Sequence, residues 1–210
     1  MGTQVYVWDR FVRFFHWSLV AAFTLAWLSA EENDTVHSMA GYAVIGLVLA
    51  RLGWGLVGTR HARFADFVRG PRAVKRYLLS LAGRPEHHVG HNPAGGWMVV
   101  ALLATLLLTT ATGVVVYGYE GHGPLATTLA PALAPARAAG VAESAAERTA
   151  RRRAEHRWEE VHEFAANLTL VLVGLHVAGV VVASRLHREN LVRAMLNGYK
   201  RGGATARDEV

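Results

Sequence analysis

Four long apolar blocks alternate with polar segments along the chain, at about residues 11–30, 35–57, 96–119 and 161–184. A helix of about 20 apolar residues crosses about 30 Å of hydrocarbon, so each block is long enough to span a membrane. A helix on the surface of a soluble protein would carry polar residues along one face. The third block contains no charged residue at all. The pattern predicts an all-α integral membrane protein, a four-helix transmembrane bundle.

The first block has a second interpretation as a cleaved signal peptide. The segment Leu28–Ala30 resembles a small-residue cleavage site. The stretch before it is long and aromatic, with Trp8 and Phe11, and it carries His16. These features are not part of the pattern of a secretory signal, so we interpret the block as a permanent span.

The charge distribution predicts an orientation. The chain has 22 Lys and Arg against 16 Asp and Glu, a net charge of +6, which in general suits nucleic acid or an anionic membrane surface. Positive residues occur at the start of the first span, between the second and third spans, and after the fourth, whereas the charged residues of the first connection are all acidic. The third connection carries six Arg and five acids, but longer segments cross the membrane largely regardless of charge. By the positive-inside rule, both termini are cytoplasmic. Topology thus accounts for the charge, and no nucleic-acid partner is expected.

The connections predict further helices within a single domain, residues 1–200, followed by a polar tail, 201–210. Segment Phe64–Ala82 places apolar residues on one helical face and basic residues on the other. This is typical of a cytoplasmic interfacial amphipathic helix in contact with membrane lipid, and equally of a helix packed on the bundle. The stretch from Ala142 to Trp158 predicts a short external helix before the fourth span.

Four of the eleven histidines lie in or at the ends of the spans: His16, His37, His162 and His176. Ionisable residues in hydrocarbon are costly and mark functional sites, although hydrogen bonding to a neighbouring helix also explains a single histidine. The other histidines lie in connections or the tail. Among them His87, His88 and His91 form a weak candidate metal site.

The depths of the four histidines pair them. His37 and His162 lie near the outer face, and His16 and His176 lie toward the cytoplasmic side. The 14 residues from His162 to His176 make just under four turns, so both imidazoles point to one helix face about 21 Å apart. Haem iron takes one imidazole on each side of the ring, whereas zinc or copper needs three or four ligands at one depth. The arrangement predicts two haem groups, and without cysteine these are non-covalent haem b.

Arg51 is the remaining charge within a span. Its side chain either extends to the cytoplasmic interface or forms a salt bridge to a propionate of the inner haem. Both interpretations are open at this point.

Several motifs resemble the bacterial cytochrome b561 family, which includes the b-type cytochrome subunits of nickel hydrogenases. The resemblance covers about residues 5–200. It rests on Val7–Arg10, Phe15–Trp17, His37 with Gly41–Tyr42, Arg51–Gly55, Phe64–Pro71, Gly90–Trp97, His162–Glu163 with Asn167, His176 and His187–Met195.

The resemblance implies a dihaem membrane cytochrome that passes electrons between an external redox partner and the quinone pool across the bacterial inner membrane. His37 and His162 would hold the outer haem, and His16 and His176 the inner one. The third connection is longer than in the shorter family members, which leaves the external partner open: a c-type cytochrome, a dehydrogenase or a hydrogenase.

Other functions stay open as well. The family includes enzymes that oxidise superoxide and reduce quinone, and Arg151–Arg153 and Arg157 offer an attraction for that anion near the outer haem. A hydrogenase-type anchor subunit, a transporter or plain anchor with structural histidines, and a homodimer are further alternatives. A quinone site is expected near His16, Arg51 and His91.

Overall fold

The computed structural model describes residues 4–81, 83, 88–130 and 144–201. The helices are α1 (Arg10–Ser29), α2 (Asp34–Val57), α3 (Phe64–Phe67), α4 (Pro71–Ser80), α5 (Pro93–Tyr119), α6 (Ala126–Leu129), α7 (Ala145–Leu186) and α8 (Leu191–Asn197), with a 3₁₀ turn at Arg60–Ala62 and two short strands, β1 (Gln4–Tyr6) and β2 (Tyr199–Arg201). Helices α1, α2, α5 and α7 are long and apolar enough to cross a membrane. The predicted all-α class and the four spans are confirmed.

The fourth predicted span, about residues 161–184, lies within a much longer helix. Helix α7 begins at Ala145 and runs for 42 residues, which corresponds to about 63 Å, roughly twice the thickness of the hydrocarbon. Ser144 and Glu147 bond reciprocally at its start, as in a capping box. No Pro or Gly follows until Gly174, so nothing separates an external helix from the span. Residues 142–143 of the predicted external helix lie outside the described residues.

The predicted single helix over Phe64–Ala82 is wrong, because two shorter helices occupy this segment. Pro71 begins α4, and the residue before it, Gly70, is held in an extended conformation with φ −61° and ψ 160°. Residues 68–70 therefore separate α3 from α4, and Ala82 lies outside the described residues. In α4, Tyr77 is 3% exposed whereas Leu79 is 67% exposed. One side of the helix thus packs on the protein, and a second apolar side stays open.

The chain divides into two compact units. The first unit comprises Met1–Val20, Leu47–Leu103 and Val171–Val210, and the second comprises Ala21–Gly46 and Ala104–Leu170. The single domain over residues 1–200 stays a prediction. Of the predicted polar tail, Arg201 belongs to β2, and residues 202–210 lie outside the described residues.

In the first unit, the two ends of the chain pair with each other. Strands β1 and β2 are antiparallel, with Val5 opposite Lys200, and the Gly198 carbonyl accepts hydrogen bonds from the backbone N–H groups of Val7 and Trp8. Beside them lies a small apolar cluster of Val7, Trp8, Val12, Ala62 and Ala194. The cluster joins the start of α1 to the segment after α2 and to α8.

Asp9 ties α1 to the end of α2 in the same unit. Its Oδ1 accepts a hydrogen bond from the Val12 N–H and thereby caps α1, while its Oδ2 accepts from Trp54 Nε1 and the Thr59 hydroxyl. Burial raises the pKa of Asp9, but hydrogen bonds from Thr59, Val12 and Trp54 outweigh it and lower the pKa below the ordinary 3.8. The carboxylate is therefore charged at neutral pH.

Asp9→Asn should lower the free energy of unfolding by about 1–3 kcal/mol, since an amide has one acceptor oxygen and its NH2 group would face either the Val12 N–H or the donors of Trp54 and Thr59. Because the folded pKa lies below 3.8, the wild-type advantage is present above about pH 4 and is lost as the pH falls through the folded pKa. Thermal unfolding in detergent at pH 7 and pH 3 measures both effects. The exposed Arg63–Asp66 pair supplies a control, and Asp66→Asn should cost about 1 kcal/mol or less.

Candidate functional site

His37 and His162 face each other in the second unit. Their ring centroids are 6.1 Å apart, and the ring planes are nearly perpendicular, at 89°. A metal–imidazole bond is about 2 Å and a ring nitrogen lies about 1 Å from the ring centre, so two imidazoles on opposite sides of one metal have centroids about 6 Å apart. The observed spacing fits one metal atom between the rings.

Backbone carbonyls orient both of these imidazoles. His37 Nδ1 lies 2.8 Å from the Ala26 carbonyl oxygen, and His162 Nδ1 lies 2.9 Å from that of Thr109. The Thr112 hydroxyl lies 3.2 Å from the same His162 nitrogen. A carbonyl only accepts, so Nδ1 carries the proton in each ring and donates it. In the neutral ring this leaves the Nε2 lone pair free, as a metal ligand requires.

Close packing of α5 against α7 holds the His162 ring in place. A Cβ on Gly113 would lie 2.9 Å from His162 Cε1, so only glycine allows this approach. About one and two turns after His162, on the same face of α7, Ala165 and Thr169 are fully buried. The Thr169 hydroxyl lies 3.3 Å from the Thr109 hydroxyl. Small residues at this contact are typical of helices packed within membranes.

His16 and His176 form the corresponding pair in the first unit, on α1 and α7. Their ring centroids are 6.5 Å apart with the planes at 52°, which also fits a shared metal atom. Unlike His37 and His162, His16 has no carbonyl to orient it within the described part of the chain. Its Nδ1 is buried without a hydrogen-bond partner there.

Arg51 is buried in the same unit, at 2% exposed. Its Nη2 donates a hydrogen bond to the Ala62 carbonyl at 3.0 Å, and its guanidinium lies over the Phe64 ring, 5.2 Å from the centroid. A side chain extended to the interface would expose the guanidinium, so the burial argues against that interpretation. Nη1 is buried and has no hydrogen-bond partner among the described residues, which leaves a charged donor for an anionic group.

His91 lies between two aromatic rings, with centroids 4.6 Å from that of Trp8 and 4.4 Å from that of Phe67. Burial, together with the positive charges of Arg51 and Lys200, lowers its pKa to about 3. The imidazole is therefore neutral at physiological pH. Its Nδ1 is buried and makes no hydrogen bond to the described residues.

The predicted histidine trio is not assembled as far as the structure describes it. His87 lies outside the described residues, and the ring of His88 packs 5.7 Å from that of Tyr77. Within the described residues, neither His88 nor His91 belongs to a group of three ligands close enough to hold one metal ion.

Three carboxylates that no sequence pattern groups together lie close to one another in the second unit. The oxygens of Glu120, Glu155 and Glu159 are within 4.8 Å of one another. Burial and the charges of Asp34 and Glu155 raise the pKa of Glu120. The fold brings Glu120 to α7 from a distant part of the sequence, so periodicity could not reveal the group. Glu155 also pairs with Arg151, 3.0 Å away.

Comparison with known proteins gives the class of this chain. The family model described as "Prokaryotic cytochrome b561" matches residues 7–198. The chain belongs to the prokaryotic cytochrome b561 family. Two relatives, each named "Probable Ni/Fe-hydrogenase B-type cytochrome subunit", come from Azotobacter vinelandii and Azotobacter chroococcum mcd 1. Each is 27% identical over 150 residues, and the alignment covers 58% of this chain and 62% of the relative. No solved structure matches.

Membership in the prokaryotic cytochrome b561 family makes the chain a membrane b-type cytochrome, a class that carries haem b. The structure contains residues that fit such a group. Two histidine pairs have the spacing of axial ligands, and a buried arginine has an unused donor. One turn beyond His37, a Cβ on Gly41 would meet no atom within 4 Å, and the same holds for Gly179 beyond His176. This leaves open space beside one ligand of each pair.

Proposed function

We propose that the protein is a dihaem cytochrome that transfers electrons across the bacterial inner membrane, between an external redox partner and the quinone pool. The observation that supports this most is the presence of two separate imidazole pairs, with centroids 6.1 and 6.5 Å apart. Each pair offers the two nitrogen donors that one haem iron takes. Bound haem supplies one-electron redox chemistry, and the protein sets its orientation and surroundings.

Each pair has its own role in the proposal. His37 and His162 hold the outer haem, with their Nε2 atoms directed by the Ala26 and Thr109 carbonyls. His16 and His176 hold the inner haem, and Arg51 donates to one of its propionates. Outer and inner follow from the charge distribution, which favours cytoplasmic termini.

The quinone site belongs, in this proposal, to the first unit. His91 is neutral and has an unused buried Nδ1, and the rings of Trp8 and Phe67 flank it. An apolar site with a few unpaired polar atoms suits a quinone, whose carbonyl oxygens accept hydrogen bonds. The positive charge of Arg51 lies near enough to His91 to lower its pKa, which favours this part of the unit.

A second candidate is the membrane cytochrome subunit of a hydrogenase-like complex, which the printed names of the two Azotobacter relatives favour. It shares the haem and quinone chemistry and differs in the external partner. The third alternative, a superoxide:quinone oxidoreductase, gains no support from the local charges. Glu155 and Glu159 lie on the face of α7 that carries His162, beside Glu120, and Glu155 pairs with Arg151, so these carboxylates offset the positive charge that would attract an anion. A homodimer stays a prediction.

Purified protein should contain two b-type haems per chain, visible as a reduced-minus-oxidised optical difference spectrum and counted by haem extraction. Addition of a short-chain quinol to the oxidised protein should reduce part of the haem within the mixing time. Boiled protein with added haem is the control for non-specific binding. Absence of haem contradicts the whole proposal, one haem per chain contradicts the dihaem form, and full haem without any response to quinol contradicts the quinone link alone.

A further inference from the structure

Helix α4 and the start of α5 border an apolar groove of about 600 Å³ in the first unit, and the groove is open at the surface. It is lined by Pro71, Val74, Lys75, Leu78, Leu79 and Trp97. The five residues from α4 recur at the spacing of one helical face. This is the side opposite Tyr77, which is buried against the protein. The groove is therefore a second apolar face of α4, which the described chain does not cover.

The groove has a fixed wall. Trp97 Nε1 donates a hydrogen bond to the Arg69 carbonyl at 2.7 Å, which holds the indole at the first turn of α5. Trp97, Leu78 and Leu79 are 45%, 51% and 67% exposed. Tryptophan with exposed leucines is typical of the boundary between hydrocarbon and headgroups. Trp97 lies at the start of the apolar run of α5, where that boundary is expected.

Positive charge lies beside the apolar lining of the groove, on helix α4. Helix α4 contains Arg72, Lys75 and Arg76 and no acidic residue. Lys75 is the charged member of the groove lining, and it makes no ion pair or hydrogen bond to another described residue. An ammonium group within an apolar lining suits a ligand that joins an anionic group to a hydrocarbon chain.

We propose that this groove binds one acidic phospholipid of the bilayer. The phosphate lies at Lys75, and an acyl chain lies against Leu78, Leu79 and Trp97. A free phosphate would use the lysine and leave the apolar face uncovered, and an isoprenoid chain would cover that face without using the lysine. A single phospholipid satisfies both, and the three basic residues of α4, with no acid among them, favour one with an acidic headgroup.

Native mass spectrometry of the detergent-purified, haem-loaded protein tests the proposal. The probe is an equimolar mixture of dioleoyl phosphatidylglycerol and dioleoyl phosphatidylcholine. We expect one phosphatidylglycerol to be retained per chain in preference to phosphatidylcholine. Lys75→Gln should lower that preference about fivefold, which corresponds to one basic residue at a lipid surface. Arg76→Gln is the matched control, because Arg76 lies on α4 outside the groove lining, and it should leave the preference unchanged.

Each other outcome overturns the proposal. Equal losses in Lys75→Gln and Arg76→Gln would mean general attraction to a basic helix. Equal retention of the two lipids by the wild type would remove the role of charge, and one-for-one displacement by a long-chain quinone would make the groove an isoprenoid site. Leu79→Gln should reduce retention of both lipids, and unchanged retention would place the acyl chain elsewhere. Haem content, measured in the same spectra, separates this result from the proposed electron-transfer function.

Discussion

His37→Ala and His162→Ala should each remove the same b-type haem, and His16→Ala and His176→Ala should each remove the other. Truncation leaves one imidazole of a 6.1 or 6.5 Å pair without its partner, and an iron with a single axial ligand is held far more weakly. We expect haem content to fall by about half in each variant, with loss of the same spectral component within a pair. Optical difference spectra and haem extraction measure both quantities.

A matched control is available on the same helix. His156 lies on α7, and its side chain is 71% exposed, so His156→Ala should retain both haems. The assignment is wrong if His37→Ala depletes the component that is lost with His176→Ala. Loss of both haems in every variant would instead indicate that the fold depends on each haem, and unfolding measurements on the same samples then separate that case.

Gly113→Val should disturb the haem assigned to His37 and His162 although residue 113 is no ligand. Even a Cβ at this position lies 2.9 Å from His162 Cε1 and 3.3 Å from its Nδ1. Hydrogen bonds to Thr109 and Thr112 restrain the ring, so the ring must turn away from the carbonyl that orients it. We expect occupancy of that haem to fall several-fold, with the second haem unaffected, and Gly113→Ala to show a smaller change in the same direction.

Gly46 supplies the control for this prediction. It lies in the same unit, and a Cβ added there would meet no atom within 4 Å. Gly46→Ala should therefore keep the wild-type spectrum. Normal occupancy and an unchanged midpoint potential in Gly113→Val would contradict the positioning role of the α5–α7 contact.

The spans could be predicted because a segment in hydrocarbon must satisfy its own backbone hydrogen bonds. A long apolar run that crosses the membrane therefore forms a helix. The structure adds to the predicted pattern, or departs from it, in the segments that flank these runs. Helix α7 begins at Ala145 because Ala, Glu and Arg favour a helix in water as well as in a membrane. Hydropathy detects only the apolar part of such a helix. The break before α4 follows from Pro71, a local signal that the apolar pattern over Phe64–Ala82 obscured.

The histidine pairs could be proposed from the sequence, whereas the groups that surround the histidines could not. Helical spacing and depth suffice to propose which rings belong together. The acceptors for His37 and His162 are main-chain carbonyls of Ala26 and Thr109. Every residue has such a carbonyl, so the residue type does not reveal which one accepts the hydrogen bond. The same limit applies to Asp9, whose partners Trp54 and Thr59 lie far along the chain. Such contacts depend on helix packing rather than on any local pattern.

The pairing of β1 with β2 has a consequence for assembly. Val5 and Lys200 can be neighbours only when both lie on the same face of the bilayer, which requires an even number of crossings between them. A chain with one helix not yet inserted holds these strands on opposite faces. An odd number of crossings therefore excludes the strand pair, whereas the four helices that are long and apolar enough to span a membrane allow it.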